Sequence, residues 1–361
     1  MALPFLDRTG RRKRDQLLAF DLGARTTKAV SLSRHNGGFA LHRYAVMDAP
    51  IYEKTLSTDL LAEHLRALVQ QLDARTRMAV FAVGVGDALV RHAELPRIPL
   101  EDMRQILKIN SKNYLQQDLP NHVFDCYVMA AAHAAAKPAE PAKTAPAAGP
   151  AKQKVLVAGA KRQLVDDFVA AARHAGLVAD HIVPGLIGPI NAFEAALPEA
   201  FAREVVALVD LGFRHSTICI LAEGELVLSR TVAIGGDRLT SGLAEAMNIT
   251  YAEAEGIKVG MPAEVQSTLE TLLVPLGREL RASIDFFEHQ QERPVSAVYL
   301  TGGASRSEFI VQVLQNELMV ECRPWNPTSF LRSELPPVQA AELEQIAPQL
   351  AVAIGAALAA F

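Results

Sequence analysis

The sequence predicts an α/β protein in which one type of domain occurs twice. The stretches "FDLGARTTKAVSL" at 20–32 and "VDLGFRHSTICIL" at 209–221 each run from a buried strand through an acid and a glycine into a second strand. Aligned at Asp21 and Asp210, which lie 189 positions apart, they agree at Asp, Leu, Gly, Arg and the final Leu. This offset is about half of the 361 residues. An internal duplication of a β-meander domain is the simplest explanation.

The composition fits two globular domains and excludes several classes of function. Half of the residues are apolar and the net charge is -4, which gives no basic surface for nucleic acid. The three cysteines lie far apart without metal-ligand spacing, so we expect reduced thiols in the core. The first residues lack a secretory signal, and the apolar stretch "LAVAIGAALAAF" is shorter than the roughly 20 residues of a membrane span. A cytoplasmic protein with a buried last helix is expected.

The first domain is predicted to begin with a three-stranded meander over 17–46, turned at "RHNGG". A helix with one apolar face follows in "TDLLAEHLRALVQQLD", with Thr58 as its expected N-cap. The continuous apolar run "MAVFAVGVG" then predicts a strand covered on both faces of its sheet.

The region 95–180 interrupts this pattern and is predicted to be a small inserted α/β subdomain. A helix between prolines, two strands and a helix that closes at Gly176 are expected there. Within it, residues 130–153 are rich in alanine and proline and have little to bury, which predicts a loop.

The second domain is predicted over 201–339, with 238–292 as its helical subdomain. Strands "VVALVDLG", "STICILA" and "ELVLSRTVAI" repeat the opening meander, and "EG" turns the last pair. The first domain is predicted to comprise 16–94, 181–200 and 340–361.

Paired hairpins that each end in Asp-Leu-Gly have a physical use, because a nucleotide fits between two such tips. A glycine lets backbone N–H groups approach phosphate oxygens, and a following Ser, Thr or Lys adds donors. The aspartates do not favour phosphate directly, but they suit hydrated Mg²⁺, which takes one or two carboxylates together with substrate oxygens and water. Asp21 and Asp210 are therefore the expected metal-facing acids.

Two further features fit a nucleotide. Gly302 and Gly303 follow the strand "VYLT" and leave room for a flat ligand against the backbone. Glu255 and Lys258 lie three residues apart on a helix opened by a Thr250/Glu253 capping box, so they share a face that suits a ribose or purine.

These elements in this order resemble the actin-like ATPase superfamily, whose domains have a duplicated ribonuclease H-like fold. Within it the sequence is most similar to the PilM family of type IV pilus assembly proteins, and secondarily to FtsA of bacterial division. "AIGGDRLTSGLAEAMNITYAEAEGIKVG" resembles the family's Gly-Gly, Leu-Thr and acidic-x-x-Lys pattern. "LPRIPLEDMRQILKINSKNYL" and "VLVAGAKRQLVDDFVAAARHAGLVADHI" resemble the two ends of the FtsA/PilM-type inserted subdomain. The stretches "HIVPGLIGPINAFEAAL" and "QLAVAIGAALAA" correspond to the two connecting helices.

The resemblance implies a site for ATP or ADP with Mg²⁺, which Asp21 and Asp210 would face through water. Lys28 would be the phosphate lysine, and the adenosine would lie between the Gly302–Gly303 turn and Glu255 with Lys258. The full set of expected cofactor-binding residues is Asp21, Gly23, Thr26, Thr27, Lys28, Asp210, Gly212, Ser216, Gly235, Gly236, Glu255, Lys258, Gly302 and Gly303.

The sequence departs from the family pattern at both phosphate loops. Members usually place Ser, Thr or Gly directly after Asp-x-Gly, where this chain has Ala24-Arg25 and Phe213-Arg214-His215. Hydrolysis also needs a residue that orients water, and "VPGLIGPIN" supplies no Glu, Gln or Asp. No catalytic residue is assigned, and at most a weak ATPase is expected.

The resemblance implies a scaffold at the inner membrane of a type IV pilus or type II secretion system. It would bind the N-terminal cytoplasmic tail of a PilN-like membrane protein, in a groove to which residues 94–130 contribute, with self-association left open. The alternatives are an FtsA-like filament former and a small-molecule kinase of the same fold. The first is disfavoured because no amphipathic tail follows the second connecting helix, and the second because no catalytic aspartate stands in the connecting region.

Overall fold

The computed structural model describes residues 6–7, 15–35, 37–51, 57–129, 151–260 and 263–361. Its strands, in chain order, are β1 (Leu6–Asp7), β2 (Gln16–Leu22), β3 (Thr26–His35), β4 (Gly38–Asp48), β5 (Met78–Val83), β6 (Ala88–Pro96), β7 (His122–Val128), β8 (Lys152–Lys161), β9 (Val178–Pro184), β10 (Val205–Leu211), β11 (Ser216–Ala222), β12 (Glu225–Val232), β13 (Ala297–Thr301), β14 (Cys322–Pro324) and β15 (Leu331–Ser333).

The α-helices, in chain order, are α1 (Thr58–Leu72), α2 (Leu100–Leu115), α3 (Arg162–His174), α4 (Ile187–Ala196), α5 (Pro198–Arg203), α6 (Gly236–Met247), α7 (Tyr251–Gly260), α8 (Ala263–Gln291), α9 (Glu308–Leu318), α10 (Pro337–Ile346) and α11 (Ala351–Leu358). Short 3₁₀ helices lie at Gly303–Arg306 and Ala347–Leu350.

Two sheets of the described chain share an arrangement of five strands, to which the first sheet adds β1 and β15 at its edges. The seven-stranded sheet has the order β1-β9-β5-β2-β3-β4-β15, and the five-stranded sheet has the order β12-β11-β10-β13-β14. In each, three antiparallel strands form a meander, and two more strands lie parallel to its first strand. The predicted α/β class and the duplicated meander are therefore confirmed.

The strand register extends the duplication to single residues. Asp21 on β2 lies opposite Lys28 on β3, and Asp210 on β10 lies opposite Thr217 on β11. Directly opposed residues of an antiparallel pair point to the same face of the sheet. Each acid therefore shares its face with a residue seven positions further along the chain.

The first sheet is buried on both faces, which explains the continuous apolar character of β2. Leu17 and Ala19 point into a core between the two large sheets, whereas Leu18 and Phe20 point into a core under α1 and α3. Alternate residues of a strand face opposite sides. The second sheet likewise has its own outer core, under the helices α6 to α9.

Helices α4 and α11 lie in the core between the two large sheets and cross in close backbone contact. A Cβ atom at Gly355 would lie 1.7 Å from the carbonyl oxygen of Gly188, and one at Gly188 would lie 2.6 Å from that of Val352. The amide of Asn191 also donates a hydrogen bond to the Gly355 carbonyl, at 3.1 Å. These are the two connecting helices that the sequence predicts, and only glycine fits where they meet.

The third sheet is antiparallel, has the order β6-β8-β7 and carries α2 over its own small core. Its strands span residues 88–161, so β6 begins before the predicted insert. Helix α3, which follows β8, contributes to the core under α1. The His92 ring lies 2.7 Å from the carbonyl oxygen of Leu226 and so joins this sheet to the second large sheet. The domain limits given above stay a prediction.

Two local expectations are corrected by the structure. The N-cap of α1 is Ser57, whose hydroxyl accepts a hydrogen bond from the Leu60 amide at 3.2 Å, and Thr58 is the first helical residue. Lys152 and Gln153, predicted to end the Ala/Pro-rich loop, belong to β8. Residues 130–150 of that loop lie outside the described residues.

The crossing of α4 and α11 gives a first prediction. Gly355→Ala should lower the free energy of unfolding by about 1–3 kcal/mol or more, because the added methyl group forces two helix backbones apart. Gly256→Ala on α7 is the matched control, since a Cβ there meets no atom within 4 Å. The control should raise stability by up to about 1 kcal/mol through helix propensity. Thermal unfolding measures both, and an unchanged melting temperature for Gly355→Ala would contradict the assigned contact.

Candidate functional site

Two acidic corners, one at the end of β2 and one at the end of β10, form the candidate site. In the first corner, Lys28 Nζ lies 3.4 Å from Asp21 Oδ2. In the second corner, Asp210 is partly exposed and Thr217 is buried on the same face. Thr217 stands where the first corner has Lys28, so the two corners together hold two carboxylates and one ammonium group. This excess of negative charge suits a divalent cation with oxygen ligands.

A glycine makes the same tight turn at each corner. A Cβ atom at Gly23 would lie 2.6 Å from the Thr26 carbonyl oxygen, and one at Gly212 would lie 2.5 Å from that of His215. Both distances are far below van der Waals contact, so a side chain at either glycine would displace the turn. The paired glycines of the sequence motif therefore have a backbone cause that is the same in both domains.

The Gly302 turn lies directly against the second corner. Gly302 has φ +91°, and a Cβ atom there would lie 2.6 Å from Asp210 Oδ1. Its amide donates to the Pro348 carbonyl at 3.0 Å, and the Thr301 hydroxyl donates to the same oxygen at 2.8 Å. At Gly303 a Cβ atom would meet nothing within 4 Å. The structure thus brings Gly302 beside Asp210 and leaves open space at Gly303.

The second corner is braced by the segment that begins α6. The Gly236 amide donates to the Gly212 carbonyl at 3.0 Å, and the Asp237 amide donates to the Phe213 carbonyl at 2.9 Å. A Cβ atom at Gly235 would lie 2.4 Å from that Phe213 oxygen. Gly235 and Gly236, both expected site residues, therefore lie in close backbone contact with the second loop.

The two corners are close enough to influence each other's charge. Burial and the negative charge of Asp21 raise the pKa of Asp210, the ammonium of Lys28 lowers it, and the net result is a pKa of about 6. An acid at the end of a buried strand, near a second acid, holds its proton more tightly than it does in water. The corners thus form one electrostatic unit.

Glu255 and Lys258 on α7 form a compact polar group with Thr240 of α6. Lys258 Nζ lies 2.7 Å from Glu255 Oε2, 2.6 Å from Thr240 Oγ1 and 3.3 Å from the Gly236 carbonyl oxygen. Burial raises the pKa of Glu255, but the hydrogen bonds from Lys258 and Thr240 and the charges of Lys258 and Arg25 lower it below its usual value overall. The carboxylate is therefore held ionised.

The capping box predicted at the start of α7 is confirmed. The Thr250 amide donates to Glu253 Oε2 at 2.9 Å, and the Glu253 amide donates to Thr250 Oγ1 at 3.3 Å. This box fixes where α7 begins and hence which face carries the acid and the lysine.

Arg25 crosses between the two domains, a contact that sequence reasoning missed. Its Nη1 lies 2.9 Å from Glu255 Oε1, and its guanidinium carbon lies 5.3 Å from the centre of the Phe213 ring. The His215 ring also packs on Gly86, whose Cβ position would be 2.9 Å from it. No local pattern in the sequence connects residues so distant in the chain.

Two predicted phosphate-binding hydroxyls have other partners. Thr27 is buried and its hydroxyl lies 2.8 Å from His64 Nε2 on α1. Ser216 is fully buried and its hydroxyl donates to the Ile234 carbonyl at 2.7 Å. The two residues occupy equivalent positions, opposite Leu22 and Leu211. Thr26, two residues before Lys28, shares the face of Lys28 and is half-buried.

The carboxylates of the two corners suit a magnesium ion that is held partly by a bound ligand. They do not form a site that would hold a metal through protein side chains alone. Among the described residues, no group of three or more His, Cys, Asp or Glu side chains is arranged to hold a metal. Mg²⁺ keeps several waters and commonly takes one or two carboxylates together with phosphate oxygens. Asp21 and Asp210 are the carboxylates available for that role.

The connecting segment 184–190 offers no group that would orient water. Its sequence is "PGLIGPI", which contains only glycine, proline and aliphatic residues, and all seven are buried. Asn191, which follows, donates to a backbone carbonyl of α11.

The fold and its paired corners define an actin-like protein, as the sequence predicts. The chain superposes on the structure of a PilM–PilN type IV pilus biogenesis complex with a TM-score of 0.80 and 24% identity, covering 96% of this chain and 98% of that chain. It also superposes on MreB5 of Spiroplasma citri bound to AMPPNP, with a TM-score of 0.51 and 9% identity over 96% of each chain. At these identities the likeness establishes the fold.

The family follows from the sequence itself. The family described as type IV pilus assembly protein PilM matches residues 19–361, and the chain belongs to it. The chain is also 27% identical to the cell division protein FtsA of Bacillus subtilis (strain 168) over 103 residues. That match covers 28% of this chain and 22% of FtsA, so it spans less than a quarter of that relative.

Two further expectations concern the cysteines and membrane spans. Cys126, Cys219 and Cys322 are free and buried, as predicted. In the part of the chain that the structure describes, no helix has the length and apolar character needed to cross a bilayer.

The raised pKa of Asp210 gives a prediction with a definite sign. The folded protein holds a proton at Asp210 up to about pH 6, whereas the unfolded chain loses it near pH 4. The free energy of unfolding should therefore fall as pH rises from about 4 to 6, and Asp210→Asn should remove this fall. Because the carboxylate is partly exposed, we expect the variant to be about 1–2 kcal/mol more stable than the native chain at pH 7.

Urea unfolding at several pH values measures this difference. Asp118→Asn, at an exposed acid, is the matched control and should leave the pH dependence unchanged. A less stable Asp210→Asn at pH 7 would show that the carboxylate makes favourable contacts instead.

Proposed function

We propose that the chain is an actin-like scaffold of type IV pilus or type II secretion assembly that binds a magnesium nucleotide between its two acidic corners. Membership of the PilM family supports the first part. The second part is supported by the AMPPNP bound in MreB5, which shares the fold. The observation that carries the proposal is the equivalence of the corners, which lie close enough for the charge of Asp21 to raise the pKa of Asp210.

The proposed roles follow from the chemistry of each group. Asp21 and Asp210 would hold the Mg²⁺, largely through water, and Lys28 would pair with phosphate. The turns at Gly23 and Gly212 would bring backbone N–H groups to the phosphate oxygens. When bound, the metal would neutralise the phosphate charge.

The adenosine would lie between the Gly302–Gly303 turn and the polar group on α7. Open space at Gly303 suits a flat ring, and the ionised Glu255 carboxylate suits ribose hydroxyls. Because segment 184–190 has no side chain to orient water, turnover would be slow. The nucleotide would then set the shape of the scaffold instead of serving as a substrate.

The proposed partner is the N-terminal cytoplasmic tail of a PilN-like membrane protein, which would hold this chain in the cytoplasm beside the inner membrane. The PilM–PilN complex, which the chain matches over 96% of its length, supports this partner. Helix α2 and strand β7 of the small sheet carry apolar side chains that face solvent: on α2, Ile109 is 84% exposed and Leu100 44%, and on β7, Val128 is 40% exposed. Such groups suit an extended or helical peptide with apolar anchors.

The nucleotide site predicts ligand-dependent stability. Mg-ATP should raise the melting temperature of the native chain by several degrees, since a ligand at 100 times its Kd adds about 2.7 kcal/mol. Asp21→Ala should abolish this rise, whereas Asp59→Ala, at a largely exposed acid on α1, should keep it. The absence of any shift for the native chain at millimolar Mg-ATP would count against a functional cleft.

The partner site predicts a specific loss of peptide binding. Ile109→Glu should weaken binding of a synthetic PilN-like N-terminal peptide by about tenfold or more, because it places a charge in an apolar contact worth at least about 1.4 kcal/mol. Val338→Glu, at an α10 side chain that is 70% exposed, controls for surface charge. Fluorescence anisotropy measures the peptide affinity of each variant. Equal affinities for the native chain and Ile109→Glu would show that the partner does not bind at Ile109.

A further inference from the structure

The Arg25 side chain leaves the first corner and reaches the second domain. It lies on the β2–β3 turn, between Gly23 and Lys28, and its guanidinium pairs with Glu255 Oε1 at 2.9 Å. It also lies over the Phe213 ring, at 5.3 Å from the ring centre. Together these contacts, called the Arg25 bridge below, join both phosphate loops and α7 across the cleft.

The bridge and a nucleotide compete for the same carboxylate. Glu255 Oε1 accepts from Arg25, and Oε2 accepts from Lys258 at 2.7 Å and from Thr240 at 2.5 Å. Both oxygens are therefore engaged. A ribose hydroxyl that bonds to Glu255 must displace one of these partners or share its oxygen.

Arg25 is the partner most easily displaced. Lys258 and Thr240 belong to the same helical group as Glu255, and Lys258 is only 12% exposed. The Arg25 side chain is 41% exposed and reaches Glu255 from the other domain. An exposed ion pair of this kind contributes little to stability, so its loss costs little.

An Arg25 side chain released from Glu255 is already beside the place of the phosphates. Its backbone forms the tip of the first loop, with Lys28 three residues later. A guanidinium presents paired N–H donors that match phosphate oxygens, and such charge-assisted bonds are stronger than neutral ones.

We propose that Arg25 determines specificity in the cleft by exchanging Glu255 for the phosphates of the bound nucleotide. This inference rests on the proposed nucleotide site and adds a discriminating residue to it. A nucleoside without phosphate that displaces Arg25 from Glu255 gains no new bond with Arg25. A nucleoside triphosphate breaks the same bridge and regains a charge-assisted bond, so the cleft selects for phosphate.

The test compares adenosine with Mg-ATP by titration calorimetry on the full chain. In Arg25→Gln, adenosine should bind about two- to fivefold more tightly, as expected for loss of a competing exposed ion pair. Mg-ATP should lose relative to adenosine, so that the ratio of the two dissociation constants changes by about tenfold or more. Arg25→Lys should keep part of the preference, since it keeps the charge but not the paired donors.

Arg230→Gln is the matched control, because it removes an arginine from an exposed ion pair with Glu279 in the second domain. It should leave both affinities as they are in the native chain. An unchanged ratio in Arg25→Gln, with Mg-ATP still bound, would overturn the exchange and leave the nucleotide site standing. If neither the native chain nor Arg25→Gln binds either ligand at millimolar concentration, the proposed nucleotide site fails and the exchange fails with it.

Discussion

The close crossing of α4 and α11 is the constraint on which the rest of the molecule depends. At Gly188 and Gly355 the two backbones touch without a side chain between them, so both large sheets pack on one shared core. The segment before α11 also bonds to Thr301 and Gly302, beside the second corner. The crossing therefore fixes the distance between the sheets and, with it, the positions of the two acids at their strand ends.

At neutral pH the second corner makes the folded chain less stable than it would otherwise be. Asp210 stands at the end of a buried strand near a second carboxylate, and burial with this repulsion raises its pKa to about 6. Lys28 of the first corner lowers the pKa of Asp210. The second corner has no such ammonium of its own, because the equivalent position there is Thr217. A buried acid beside a second carboxylate is typical of a site kept for a ligand.

The sequence was sufficient for the architecture and for most of the corners, because both depend on local periodicity. Alternating apolar runs and two Asp-Leu-Gly turns predict the meanders and place Asp21 with Asp210. The sequence was insufficient for features that depend on strand register or tertiary packing. Thr27 and Ser216 are predicted to bind phosphate, and the strand register, which the sequence does not show, places both on the sheet face opposite to the acids. Strand β6 was not predicted, since "ALVRHAELP" mixes charged and apolar residues.

The two departures from the family's loop pattern have a common physical explanation. Arg25 lies in the first loop and Phe213 directly follows the Asp-Leu-Gly of the second, and the guanidinium lies over the aromatic ring. A cation over an aromatic face is an attractive contact, and the same cation pairs with Glu255 on α7. Arg25 and Phe213, one from each loop, therefore contact each other across the cleft. For this reason neither Arg25 nor Phe213 can be explained from its own hairpin. Their contact with each other explains both residues.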